Sequence, residues 1–168
     1  MSLLNEYTSR VASCLERLAG SSFDIHTSST LNLICTATYT TIGRYARDSQ
    51  GLLFPSLKGV RGHFDIAIIN RLHSKRYDMK HQRALIAVEL GLDEDITYFK
   101  NDLMKLTDAR NDVKQGFSAH FARKKTIPVD EYQAMKDLLE ANPQIGSLII
   151  DRSKRKANVY NRLVKETR

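Results

Sequence analysis

Phe64-Asp65-Ile66-Ala67-Ile68-Ile69-Asn70 and Ala84-Leu85-Ile86-Ala87-Val88-Glu89-Leu90 are the two stretches whose reading decides the fold. Each is a short, mostly β-branched or aliphatic run with one carboxylate, and the segment between them, 71–83, is polar and basic. That pattern predicts two neighbouring buried strands joined by an exposed connection. Strand side chains alternate faces, so Asp65 shares a face with Ala67 and Ile69, and Glu89 shares one with Leu85, Ala87 and Gly91. If the strands pair, both carboxylates converge on one spot. A lone carboxylate inside an apolar strand is costly, so it calls for a cation, a hydrogen-bond donor or a metal. Two together suit a hard divalent cation, which prefers oxygen ligands.

These residues resemble the PD-(D/E)XK nuclease superfamily, the restriction-endonuclease-like fold, over roughly residues 50–125. The family carries an Asp on one core strand and an acid-x-Lys on the next. Gly62-His63-Phe64-Asp65 matches the first element and Glu89-Leu90-Gly91 the second, with Phe64 where the family often has Pro and Gly91 where it has Lys. The resemblance implies Mg²⁺ (or Mn²⁺) held by Asp65 and Glu89, hydrolysis of phosphodiester bonds, and nucleic acid, DNA foremost, as substrate. An acid from the first helix sometimes joins such a site, and Glu16 is the candidate here. In several lineages the following helix supplies the missing lysine, which makes Lys100 the candidate catalytic cation. Domains of this kind commonly work as dimers or beside other subunits, so a homodimer or larger complex is an expected state. Gly91 keeps open a second expectation: a nuclease-fold protein without chemistry that binds nucleic acid or serves as an assembly subunit. In a third, Asp65 and Glu89 are simply paired with buried Arg or Lys in an interaction protein.

The 168 residues fit one domain, 1–168, with 42% hydrophobic and 27% charged content. No apolar run approaches the ~20 residues of a membrane span, and charges at Glu6, Arg10, Glu16 and Arg17 break any secretory pattern. A cytoplasmic protein is expected. Cys14 and Cys35 lack metal-like spacing and read as buried free thiols. The net charge of +7 is uneven: the tail 152–168 holds seven basic residues against Glu166 alone. Other basic groups lie at Lys58 and Arg61, at Arg71, Lys75, Arg76, Lys80 and Arg83, and at Arg123, Lys124 and Lys125. Lys154, Arg155 and Lys156 complete the expected phosphate-binding surface, since each neutralised phosphate releases condensed counterions.

Elsewhere the spacing of Leu4, Tyr7, Val11, Cys14, Leu15 and Leu18 predicts a helix over 3–19 ending at Gly20. Residues 21–46 fit strand or helix, and Leu52-Leu53-Phe54 predicts a short strand ending at Pro55, with a loop over 56–62. His63 shares the face of Asp65 if its strand begins that early. Asp93, Glu94 and Asp95 are expected to cap a helix built on Ile96, Phe99, Leu103 and Leu106. A core strand over 116–122, a helix from Val129 to Ala141 and a strand over 147–151 follow, and the tail from Lys154 is expected to be either a basic helix anchored by Val159, Leu163 and Val164 or a partly mobile segment. The order predicts an α/β domain with a mixed central β-sheet flanked by helices. A P-loop, a GxSxG elbow and HExxH are absent, which disfavours nucleotide, serine and zinc hydrolysis.

Overall fold

The computed structural model describes residues 8–9, 11–13, 15, 51–59, 62–70, 84–122, 125–151 and 158–163. Among the described residues six strands form one mixed sheet in chain order: β1 (Gly51–Gly59), β2 (Gly62–Asn70), β3 (Ala84–Leu92), β4 (Gln115–Ala122), β5 (Gly146–Asp151) and β6 (Asn158–Arg162). The β1–β2, β2–β3 and β5–β6 pairs are antiparallel, whereas β3–β4 and β4–β5 are parallel. Parallel neighbours need crossovers, and two helices supply them: α1 (Ile96–Thr107) links β3 to β4, and α2 (Val129–Glu140) links β4 to β5. The class is α/β, a mixed sheet with helices.

Alternation sorts the strand residues into two layers. Ile86, Val88 and Leu90 of β3, with Phe117, Phe121 and Leu148, bury against Val11, Ala12 and Leu15 of the helical N-terminal segment. The opposite face carries small residues, Ala67, Ala87 and Ala122, which let Phe99, Leu103 and Leu106 of α1 and Met135 and Leu139 of α2 approach closely. Glu89 and Gly91 are odd-numbered residues of β3 and belong to this second face, under α1. Among the described residues no helix is long and apolar enough to cross a membrane.

Two local expectations are corrected. β1 does not stop at Pro55 but runs on to Gly59, turning back through a hairpin in which Gly59 pairs with Gly62. Pro55 is tolerated because β1 is an outer strand of the described sheet, where a missing N–H need not break a ladder; Gly62 at φ 133° takes a backbone conformation that glycine alone adopts readily. The tail is not a helix over 158–162: it is β6. Tyr160 and Arg162, two apart, both reach Glu140 at the end of α2, at 2.7 and 3.3 Å, and Leu163 is buried as an anchor. That alternation is available only to a strand.

The expectations for Glu16, Cys14, Cys35, residues 21–46 and Val164 lie outside the described residues, as do those for Arg61, Arg76, Lys80, Arg123, Lys124, Lys154, Arg155 and Lys156; Lys58 is described as a backbone position of β1.

Candidate functional site

The β2–β3 ladder pairs Ile68 with Ile86, Ala67 with Ala87 and Ile66 with Val88. Carried one residue further, the register sets Asp65 across from Glu89. Here the backbone pairing gives way to a side chain: Asp65 Oδ2 accepts from the Leu90 amide at 2.7 Å. The two carboxylates therefore meet at the carboxyl end of β3. Glu89 is 2% exposed, and its Oε2 accepts from Lys105 Nζ at 2.8 Å. The same ammonium reaches Asp102 Oδ1 at 2.9 Å and the His63 carbonyl at 3.2 Å, which uses all three of its donors.

Lys105, not Lys100, is the helix lysine at this site. At ~100° per residue, Lys100 lies ~100° to one side of Phe99 around α1 and Lys105 ~120° to the other. Phe99, Leu103 and Leu106 press the helix onto the sheet, so only one flank overlooks β2 and β3, and Lys100 is on the exposed one. Asp102 shares the flank of Lys105 as an i, i+3 partner. The spacing Asp102-x-x-Lys105 was the available signal in the sequence. His63 is exposed and contributes its carbonyl.

The acidic turn after β3 divides its labour. Asp95 alone caps α1, accepting from the Thr97 and Tyr98 amides at 2.8 and 3.2 Å. Asp93, at φ 53°, donates its amide to the Phe121 carbonyl and so ties the turn to β4. Glu94 turns inward. A Cβ built on Gly91 would stand 2.7 Å from Glu94 Oε2 and 2.6 Å from Nδ1 of His120, the residue paired with Gly91 on β4. The space a strand lysine would need is thus filled by Glu94 and His120. His120 is 1% exposed, with its ring edge-on to Phe99 at 5.9 Å.

Among the described residues carboxylates outnumber cations here: Asp65, Glu89, Glu94 and Asp102 stand around one ammonium, that of Lys105. Burial, then the charges of Asp102 and Asp65, push Glu89 up to about 9. Burial and the same two charges push Glu94 up to about 7. Burial raises Asp65 as well, opposed by the Leu90 amide and Lys105. Burial pulls the Lys105 ammonium down, but Glu89 and Asp102 outweigh it and hold it charged. His120 is driven down to about 4 by burial, against the charges of Asp93 and Asp151, so its ring is neutral. Glu89 Oε1, Glu94 Oε2 and both ring nitrogens of His120 are buried and find no hydrogen-bond partner among the described residues.

Such a set can hold a proton or a cation. Among the described residues no group of three or more His, Cys, Asp or Glu is arranged as a ready metal cage. Mg²⁺ does not require one, because it is commonly held by one or two carboxylates with water and substrate oxygens completing its shell. Asp65, and Glu89 through Oε1, fit that donor set. No family model, curated protein or solved structure matches the chain.

Proposed function

We propose that the chain is a restriction-endonuclease-like, metal-dependent nuclease domain that hydrolyses phosphodiester bonds in nucleic acid, DNA foremost. The observation that carries this reading is that, among the described residues, carboxylates exceed cations at the Asp65–Glu89–Lys105 cluster and Glu89 Oε1 has no partner. Asp65 and Glu89 would hold Mg²⁺ or Mn²⁺. Bound there, the ion supplies a Lewis acid for the phosphate and a more acidic water.

The chain's own groups do the rest. Lys105 faces the same carboxylates from α1, so its ammonium can exchange its longest contact, the 3.2 Å one to the His63 carbonyl, for a phosphate oxygen and neutralise charge that develops there. Asp102 holds Lys105 in place at 2.9 Å. The basic groups at 71–83, 123–125 and 152–156 would anchor the flanking backbone.

A second reading is favoured by one observation: all three donors of Lys105 are already used, as in a purely structural ion cluster. The two readings separate in one experiment. Purified protein is incubated with single- and double-stranded DNA and RNA in Mg²⁺ or Mn²⁺, beside Asp65→Asn and Lys105→Ala. Cleavage that both substitutions abolish is the expected result. Absence of cleavage together with no metal-dependent rise in melting temperature would establish the structural reading.

A further inference from the structure

Beside the carboxylate cluster, at the carboxyl ends of β3 and β4, a cleft of about 440 Å³ opens between the starts of α1 and α2. Concave sites that bring a few polar groups together beside apolar wall are where small ligands bind. Glu94 belongs to both places: it lines the cleft while its Oε2 faces Gly91 and His120. The cleft's chemistry is mainly acidic: Asp93, Glu94, Asp95 and Glu131 offer acceptors, whereas Lys125 offers a donor. Ile127 and Pro128 add apolar wall, and Tyr98 stands at the cleft 60% exposed.

A free phosphate does not suit a wall that carries four carboxylates, and a bare cation does not suit Lys125, nor do the acids form a metal-holding group among the described residues. A planar group with donors and acceptors along one edge satisfies both, and an exposed tyrosine gives it a stacking face. We infer that the cleft receives one unstacked nucleobase of the substrate strand, a base carrying an exocyclic amino group, stacked on Tyr98 and read by Glu131 and Glu94. The choice of ligand rests on the nuclease reading above. The volume fits one base with its sugar, and the shared Glu94 sets that base next to the bond to be cut.

The test uses the full chain without metal, so that it is independent of cleavage. Cytidine and thymidine are titrated and followed by saturation-transfer NMR. Cytidine, which has the amino group, is expected to bind more tightly than thymidine. Tyr98→Ala should weaken cytidine at least ~5-fold, the loss of one stacking platform, and Glu131→Gln should narrow the difference between the two nucleosides. Tyr98 is exposed and its truncation leaves the core intact. No binding of either nucleoside at millimolar concentration, or binding unchanged in Tyr98→Ala, overturns the inference. Cytidine binding by a protein that cleaves nothing counts against the nuclease reading and leaves the base site standing.

Discussion

Gly91→Ala tests the packing on which the candidate site depends, because the sign of its effect is set by what lies over that glycine. Gly91 does not adopt a positive φ, so its backbone would accept any residue. In an open strand position the change should stabilise by ~0.5–1 kcal/mol, since glycine loses the most freedom on folding. Here the added methyl meets His120 Nδ1 at 2.6 Å and Glu94 Oε2 at 2.7 Å. Glu94 can swing its carboxylate aside. The His120 ring cannot: it is 1% exposed and set edge-on against Phe99, which is itself 2% exposed. Overpacking of this kind costs ~1–3 kcal/mol. Set against the backbone gain, a net loss of roughly 1–2 kcal/mol is expected, and for a chain of this size a fall in melting temperature of about 2–8 °C.

Urea denaturation gives the measurement directly, as a lower midpoint with an unchanged slope. The same change in a His120→Ala background should cost less than in the unmutated protein, with a coupling of about 1 kcal/mol or more between the two positions. An unchanged or raised midpoint for Gly91→Ala would refute the filled space, and with it the reason for a lysine arriving from the helix.

Lys105→Ala is expected to lower the cleavage rate ~10²-fold or more, the effect of removing one preorganised charge-stabilising group, while Lys100→Ala leaves it near the unmutated rate; equal rates in the two variants would refute the assignment. Mg²⁺ or Mn²⁺ should raise the melting temperature with concentration, by the equivalent of ~2.7 kcal/mol at a hundred times the dissociation constant, and Asp65→Asn should remove that shift. His120 gives a pH signature: burial holds it at about 4, below the ordinary histidine value of 6.5, so its contribution is complete above pH 6.5 and is lost as pH falls towards 4. That loss is on the order of 3 kcal/mol, and urea midpoints across the window should fall more steeply for the unmutated protein than for His120→Leu. Neutralising Arg152, Lys154, Arg155 and Lys156 together should flatten the slope of log affinity for DNA against log salt by roughly 3. Truncation after Asp151 is the poorer test, because it strips β6 from β5.

The parts of the fold legible in the sequence are those where one local signal had no rival. The apolar runs of β2 and β3, the alternation of β4 and the Pro128-started helix α2 each admit one reading, and each is present. Residues 158–162, expected as part of a helix or a mobile tail, are a strand. Val159 and Leu163 fit a helical spacing and Tyr160 and Arg162 a strand spacing, and the open edge of β5 decided for the strand. Even a partner strand this near in the chain leaves no mark on local propensity. The acids of 93–95 were similarly undecided: any of them could cap α1, and only the path of the turn sends Glu94 inward and leaves Asp95 on the cap.

The choice between Lys100 and Lys105 shows why a site is harder to read than the strands that carry it. Both lysines flank the apolar stripe of α1, and periodicity gives the stripe without saying which flank overlooks β2. That follows from the direction in which α1 crosses from β3 to its parallel neighbour β4. The crossover also explains why Gly91 and Lys105 belong together. It brings β4 beside β3 in a register that sets His120 against Gly91, so the strand position closes to any side chain. It also lays α1 over Glu89 so that a lysine from above reaches Oε2 at 2.8 Å. A cation supplied from the strand would displace His120 and Glu94; supplied from the helix, it leaves both in place and leaves Glu89 Oε1 turned away from the lysine, with no protein donor among the described residues. That unpartnered oxygen belongs to a carboxyl that burial and its neighbours' charges hold protonated up to about pH 9, so a divalent ion bound there would take the place of a proton.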